Sequence, residues 1–305
     1  MESALPSKSD GPRRVLVIYN PTAGRSRPSH FEGVVSQLQR LGCDVTVRET
    51  TRRGDAETFA RHSTLSSIDA VVAAGGDGTI AEVLNGLMGP SGPQNKIPLG
   101  IIPLGTANVL AAEIGLPSRP EDIAAVIAAG TRLCCHPGQA NGNFFLMMAG
   151  VGFDAHVVDT TSSRLKKVFG KGAYAYATVR QLLRPPPGPY KVIIQGVAYC
   201  AASVVVGKGH FYAGRFVCTP DARLDKPLFQ VCLFHDGGAW ATLKYLFGFL
   251  TKRLPHMANV TLIQTDQLRI EGRPGDPAQG DGDIFARLPL DIHIAHMTLE
   301  ILVPA

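Results

Sequence analysis

The chain has 305 residues, room for one large domain or two ordinary ones, and 45% of them are apolar, the share of a protein that buries a true core. Thirty basic against 25 acidic residues leave a net charge of +5, too weak a bias for a nucleic-acid binder but compatible with anionic surfaces and phosphorylated ligands. No run of about 18 apolar residues suggests a membrane span, and the first dozen residues read as a floppy tail with no signal-peptide core.

The six cysteines (Cys43, Cys134, Cys135, Cys200, Cys218 and Cys232) lack CxxC spacing and read as buried thiols of a reducing, cytoplasmic compartment. Residues 14–20, "RVLVIYN", predict a buried strand. "HFEGVVSQLQRLG" (30–42) predicts a helix with Phe31, Val34, Val35, Leu38 and Leu41 on one face and Gly42 as its stop. "CDVTVRET" (43–50) is a strand and "GDAETFARHS" (54–63) a short helix. Strand and helix then alternate through "IDAVVAAGG" (68–76), "TIAEVLNGLM" (79–88), "IPLGIIP" (97–103) and "TANVLAAEIGL" (106–116). A last helix, "PEDIAAVIAAG" (120–130), ends at Gly130. Such alternation implies βαβ units and a parallel sheet, hence an α/β domain over residues 13–132.

The remainder, 133–305, changes character. "YKVIIQGVAYC", "ASVVVG", "LFQVCLFH", "VTLIQTDQLRIEG", "LPLDIHIAH" and "TLEILVPA" are short β-like runs between turn residues, and many alternate apolar with polar. An antiparallel β-sandwich domain follows. Two helical segments interrupt it, at about 164–184 and 239–253. The first carries Arg164, Lys166, Lys167, Lys171, Arg180 and Arg184 and no acid, which suits either an anionic membrane surface or a solvated helix. In the second, Trp240, Leu243, Leu246, Phe247 and Leu250 read first as a packing stripe and second as a lipid-facing one.

Within "VVAAGGDGTI" (71–80) a buried strand turns on glycines into a helix. Glycines let the backbone approach a ligand closely, and a helix start favours an anion. Asp77 adds a negative charge there, which makes sense if a cation such as nucleotide-bound Mg²⁺ mediates. "NPTAG" (20–24) and "PLGTAN" (103–108) follow two other strands, so all three turns lie at strand carboxyl ends, where open α/β sheets bind ligands. Neither a GxxxxGK[ST] nor a GxGxxG after the first strand is present.

Taken together and in chain order, "NPTAG", "GGDGTIAEVLNGL", "PLGTANVLA" and "GVGFDA" (150–155) resemble the diacylglycerol kinase-type lipid kinases, the family of bacterial diacylglycerol and lipid kinases and of sphingosine and ceramide kinases. The likeness covers residues 13 to 304; GGDGT alone is shared with NAD kinases and 6-phosphofructokinases. It implies an ATP-binding α/β domain, a β-sandwich domain and a site between them that uses ATP and Mg²⁺ in lipid metabolism. Carried over by position, Asp77 is the acid beside metal and phosphates. Asn20, Pro21, Gly24, Thr50, Gly75, Gly76, Gly78, Thr79, Gly105, Thr106 and Asn108 contact ATP, and Asp154 faces the lipid head group. The family's "DGE" is here "DGD", Asp281 to Asp283, which makes Asp283 the base for the lipid hydroxyl; its side chain is one methylene shorter, so either the backbone moves in or Asp281 shares the work.

One departure concerns "ARLDKPLFQV" (222–231). Related bacterial enzymes carry an aspartate where Lys226 stands, and with two backbone carbonyls it holds a Mg²⁺ away from the phosphates. Here the carbonyls would be those of Arg223 and Leu228. Either Asp225 substitutes, or the Lys226 ammonium sits where the ion would be; loss of the metal site is the favoured reading. The resemblance implies ATP, a lipid acceptor and an anionic membrane surface as partners, and an edge strand of the sandwich gives a route to a homodimer. The alternatives are a nucleotide- or lipid-binding regulator with weakened catalysis and an NAD kinase-like enzyme.

Overall fold

The computed structural model describes residues 13–23, 28–63, 68–89, 92, 97–160, 188–212 and 214–305. The expected tail, Gly24 and the basic segment 164–184 lie outside the described residues.

The first sheet contains β1 (Arg14–Tyr19), β2 (Asp44–Glu49), β3 (Ala70–Gly75), β4 (Leu99–Pro103), β5 (Arg132–Cys135) and β20 (Leu299–Leu302), in the order β2-β1-β3-β4-β20-β5. All pairings are parallel except β20 with β5. The unbroken apolar run of β1 follows from burial on both faces. Val15 and Val17 meet Phe31, Val34 and Leu38 of α1 (Pro28–Arg40) and Ile123 and Ile127 of α5 (Pro120–Ala129). Leu16 and Ile18 meet Ala56 and Ala60 of α2 (Asp55–Arg61) and Ile80, Val83 and Leu84 of α3 (Asp77–Met88). Leu41, expected on the packing face of α1, lies past the helix end and is exposed. The "TLEILVPA" run belongs to this sheet, as β20, and with β5 it carries the α/β layer beyond residue 132.

Two antiparallel sheets make the sandwich. One is β10-β9-β16-β19-β6-β7, from β6 (Gly138–Ala140), β7 (Asn143–Phe145), β9 (Tyr190–Ile194), β10 (Val197–Ala201), β16 (Gln267–Glu271) and β19 (Leu290–Ile294). The other is β15-β14-β11-β8-β17-β18, from β8 (Met148–Val151), β11 (Ser203–Gly207), β14 (Phe229–Phe234), β15 (Val260–Thr265), β17 (Pro277–Gly280) and β18 (Asp283–Arg287). Their inner faces share a core centred on Phe145, Tyr190 and Phe229. A small hairpin, β12 (Phe211–Tyr212) with β13 (Phe216–Val217), lies outside both sheets. Two runs that look single in the sequence are each two strands. "YKVIIQGVAYC" folds back at Gln195 and Gly196, both with positive φ, and "VTLIQTDQLRIEG" switches sheets at Asp266.

Among the described residues there are three further α-helices: α4 (Val109–Glu113), α6 (Phe153–Thr160) and α7 (Ala239–Leu250). The inner face of α7 is Ala241, Tyr245 and Gly248, so Trp240, Leu243, Leu246, Phe247 and Leu250, read first as packing residues, are the exposed ones. The physical reason is size. Ala241 and Gly248 let the helix lie close, and a Cβ on Gly248 would come within 2.6 Å of Met257 Sδ. Strand alternation buries Cys135 and leaves Cys134 exposed; Cys200 is exposed as well.

Candidate active site

Four loops leave the carboxyl ends of neighbouring strands and are tied to one another by main-chain hydrogen bonds. The Asn20 N–H donates to Ala74 O (2.9 Å), the Thr50 N–H to Tyr19 O (2.8 Å) and the Leu104 N–H to Gly75 O (2.9 Å). Across them the Asn20 amide donates to Thr79 Oγ1 (3.0 Å), and its oxygen accepts from the Thr22 N–H and hydroxyl. Pro21, Gly75, Gly76, Gly78, Gly105, Thr106 and Asn108 belong to this edge, with Thr106 exposed and Thr50 nearly buried. The edge is compact because it lacks side chains at critical points. A Cβ on Gly75 would lie 2.4 Å from Thr79 Oγ1, and one on Gly105 would lie 2.6 Å from Gly76 Cα.

The helix after the glycine turn begins at Asp77, two residues before the expected Thr79, because Gly76 is already extended as its cap. The Asp77 carboxylate accepts the Val109 N–H (2.8 Å) at the start of α4. That contact joins the glycine turn to the 103–108 turn, where Asn108 at φ 48° stops α4 from starting earlier. Burial raises the Asp77 carboxyl above its ordinary range, against the pull of the amides of Val109, Asn108, Asp77 itself and Leu110. Asn108 Oδ1 is buried with no hydrogen-bond partner among the described residues, an acceptor aimed at no protein donor.

The second lobe meets this edge at the β17–β18 turn. A Cβ on Gly78 would lie 2.8 Å from Asp283 Oδ2, so Asp283 is at the glycine turn itself. Arg53 lies 4.0 Å from the same carboxylate oxygen. Asp281 has a different environment: its two oxygens accept the N–H groups of Leu146 (2.7 Å), Met147 (2.8 Å) and Met148 (2.9 Å). Asp154, on the first turn of α6, accepts from Gln279 Nε2 (3.1 Å) and the Tyr212 hydroxyl (3.4 Å), and burial raises its carboxyl.

Two residues that join the lobes are not among those the sequence singled out. Asn85 of α3 donates to Phe144 O (3.0 Å) and accepts the Phe144 N–H (2.9 Å). Glu113 of α4 accepts the N–H groups of His210 and Phe211 and contacts the His210 ring (2.6 Å). A polar residue inside an otherwise apolar helix pattern was the available clue to Asn85. At the expected second metal site, Asp225 is paired with Arg223 Nε (3.1 Å), and the Leu228 and Lys226 side chains are exposed. The cation on the local carbonyls is Lys208. Among the described residues no group of three or more His, Cys, Asp or Glu could by itself hold a metal ion.

Residues 14–139 match the model of the diacylglycerol kinase catalytic domain, and residues 147–303 that of the YegS C-terminal NAD kinase beta sandwich-like domain. A diacylglycerol kinase of Bacillus subtilis (strain 168) is 27% identical over 300 residues, 96% of this chain and 97% of that protein. One of Staphylococcus saprophyticus is 30% identical over 227 residues, 72% of each. The crystal structure of a diacylglycerol kinase from Bacillus anthracis str. Sterne has the same fold, with a TM-score of 0.77 at 23% identity over 97% of this chain and 99% of that one.

Asp281 carries a pH signature. Burial lifts its carboxyl from 3.8 to about 6 despite the three amides, with added repulsion from Asp77. An acid whose folded-state pKa lies above its unfolded value favours the fold below the unfolded pKa and gives that up as pH rises through the folded one. Relative to Asp281→Asn, which does not titrate, the wild type should therefore lose stability, by at most about 3 kcal/mol, between about pH 4 and about pH 6. Urea unfolding of both proteins across that window measures the gap; a gap that stays flat or widens in favour of the wild type contradicts this.

Proposed function

The chain belongs to the diacylglycerol kinase family of lipid kinases, and from that premise we propose that it transfers the γ-phosphoryl group of ATP to a hydroxyl of a lipid lodged between its two lobes. The approach of Asp283 to Gly78 carries this reading, because it brings a carboxylate of the sandwich to the glycine turn of the α/β lobe. A lipid hydroxyl at that junction would be oriented by Asp283 and would give it its proton. The hydroxyl oxygen forms the new bond to phosphorus as the bond to the β,γ-bridging oxygen breaks and ADP leaves. Asp283 reaches the turn although it is shorter than a glutamate, so the reading in which the backbone moves in is preferred. Asp281, bonded to three amides, serves by fixing the 146–148 segment rather than by sharing the proton transfer.

On the nucleotide side, Asp77 holds the 103–108 turn against the glycine turn, where close backbone suits phosphate oxygens. A Mg²⁺ carried by ATP would supply charge neutralisation on the phosphates. Asp77 and the partnerless Asn108 Oδ1 are the hard oxygens that would hold such an ion on the nucleotide side. Asp154 lies deeper in the sandwich lobe and suits the polar end of the lipid, with Gln279 and Tyr212 holding its carboxylate.

The lipid must come from a bilayer, and α7 offers the face to meet it. Trp240 is 74% exposed and Phe247 and Leu250 63% each, an apolar surface of the kind that marks interaction sites. Lys244, Lys252 and Arg253 are exposed on the helix and just past its end, and no acid occurs from Ala239 to His256. That combination suits an anionic interface. The face also connects inward: Phe249 stacks on Tyr212 at 5.4 Å, and Tyr212 bonds Asp154.

Transfer of labelled phosphate from ATP to a panel of diacylglycerols and sphingoid bases tests the reaction. Wild type should label at least one class, and Asp283→Asn should lower kcat by about 10²–10⁴-fold with the KM for ATP little changed. Equal labelling by both proteins refutes the role of Asp283, and ATP binding with no transfer to any lipid refutes the kinase reading in favour of a binding regulator. Co-sedimentation with phosphatidylglycerol vesicles tests the face: changing Trp240, Phe247 and Leu250 together to serine should weaken binding by at least about tenfold. Vesicle binding equal to that of the wild type would exclude α7 as the docking element.

A further inference from the structure

Lys208 follows β11 directly and has none of its surface exposed, a place lysine seldom occupies without partners. Its partners are main-chain carbonyls. Nζ donates to Arg223 O, to Lys226 O (2.6 Å) and to Leu224 O (3.3 Å). An ammonium has three N–H donors and no acceptor, so three carbonyls satisfy it fully. The same arrangement answers a problem of the turn, whose carbonyl dipoles point toward one spot and repel one another unless something positive gathers them. The turn is joined to its surroundings at several further points. Leu224 O also accepts the His136 N–H (2.9 Å), and the Asp221 N–H donates to Gln230 Oε1 (2.8 Å).

A divalent ion is the other group that could gather carbonyls, as the resemblance implies for relatives with an aspartate at the position of Lys226. The residues of this chain do not fit that ion. The aspartate is replaced by a lysine whose side chain is exposed, and Asp225 is engaged by Arg223. Of the two carbonyls expected on the ion, that of Arg223 is already taken by the Lys208 ammonium, which would repel a divalent ion at hydrogen-bond range.

We propose that Lys208 is a built-in cation, holding the 223–226 turn in place of a bound metal and leaving the chain with no divalent site there. Its effect reaches the junction of the lobes through the backbone. The Lys208 N–H donates to Met147 O (2.8 Å), and the Met147 N–H donates to Asp281 (2.8 Å), two residues before Asp283. Two residues after Lys208, Glu113 of the α/β lobe grips His210. Lys208 is thus a positioning residue: it touches no reacting group and fixes the segments that do.

Thermal unfolding of the full chain without nucleotide tests this. Wild type should melt at the same temperature in EDTA and in millimolar Mg²⁺. Lys208→Met leaves the carbonyls without a donor and should melt lower by about 5 °C or more. The double variant Lys208→Ser, Lys226→Asp restores an ion's ligands and should regain stability on adding Mg²⁺, which Lys208→Met does not. A wild type that is stabilised by Mg²⁺ alone overturns the proposal, and so does a Lys208→Met protein as stable as wild type. Should Lys208→Met fail to fold, the metal titration of the wild type still decides.

Discussion

Everything at the site depends on backbone approaching backbone where side chains would forbid it. Gly76 and Gly105 touch across two turns of the α/β lobe, and Gly78 leaves room for a carboxylate from the other lobe. A Cβ on Gly105 or Gly78 would lie 2.6 or 2.8 Å from its nearest neighbour, so an atom would have to be displaced, while one on Gly76 would come just into contact at 3.4 Å. Closeness alone would not hold the turns together, since loops resist ordering. The Asp77 carboxylate supplies the tie, accepting the first amide of α4 from the next loop along the sheet edge.

The sandwich lobe is held to this edge by polar pins set in an apolar seam, where Phe144, Leu146, Met147 and Leu224 share one buried cluster with Ile80, Val83, Leu84, Val109 and Leu110. Asn85 pairs in both directions with the backbone of Phe144, and Glu113 captures the amides of His210 and Phe211. Each pin places a helix of one lobe on a strand of the other, α3 on β7 and α4 on the start of β12. The result is that the turn bearing Asp281 and Asp283 is fixed from two sides: by its own amide bonds to 146–148, and by α3, whose Gly78 lies against Asp283.

Much of this was legible in the residues. The run of β1 announces burial on both faces, and glycine turns at strand ends announce a ligand edge. Asp77 stood out because a charge in a tight turn is costly without a purpose, and Asp283 because it stands where the resemblance puts the family's glutamate. Other features were hidden for identifiable reasons. The two faces of α7 are both apolar, and the choice between them was made by small residues, Ala241 and Gly248, which hydrophobicity patterns ignore. Strand β20 looks like a sandwich strand because alternation does not say which sheet it joins. Lys208 was invisible because its partners are carbonyls, which every residue has; the sequence pointed to Lys226 as the local cation, and the structure gives that part to a residue 18 positions earlier.

The central claim is that the cleft between the glycine turn and Asp283 is where a triphosphate meets an alcohol. A crystal structure with Mg²⁺ and a non-hydrolysable ATP analogue tests it most directly. The account predicts phosphates along the main chain of residues 75–79 and 103–108, with the terminal phosphorus facing the Asp283 carboxylate. Phosphates bound elsewhere, or pointing away from Asp283 with the lobes in the same arrangement, would contradict it.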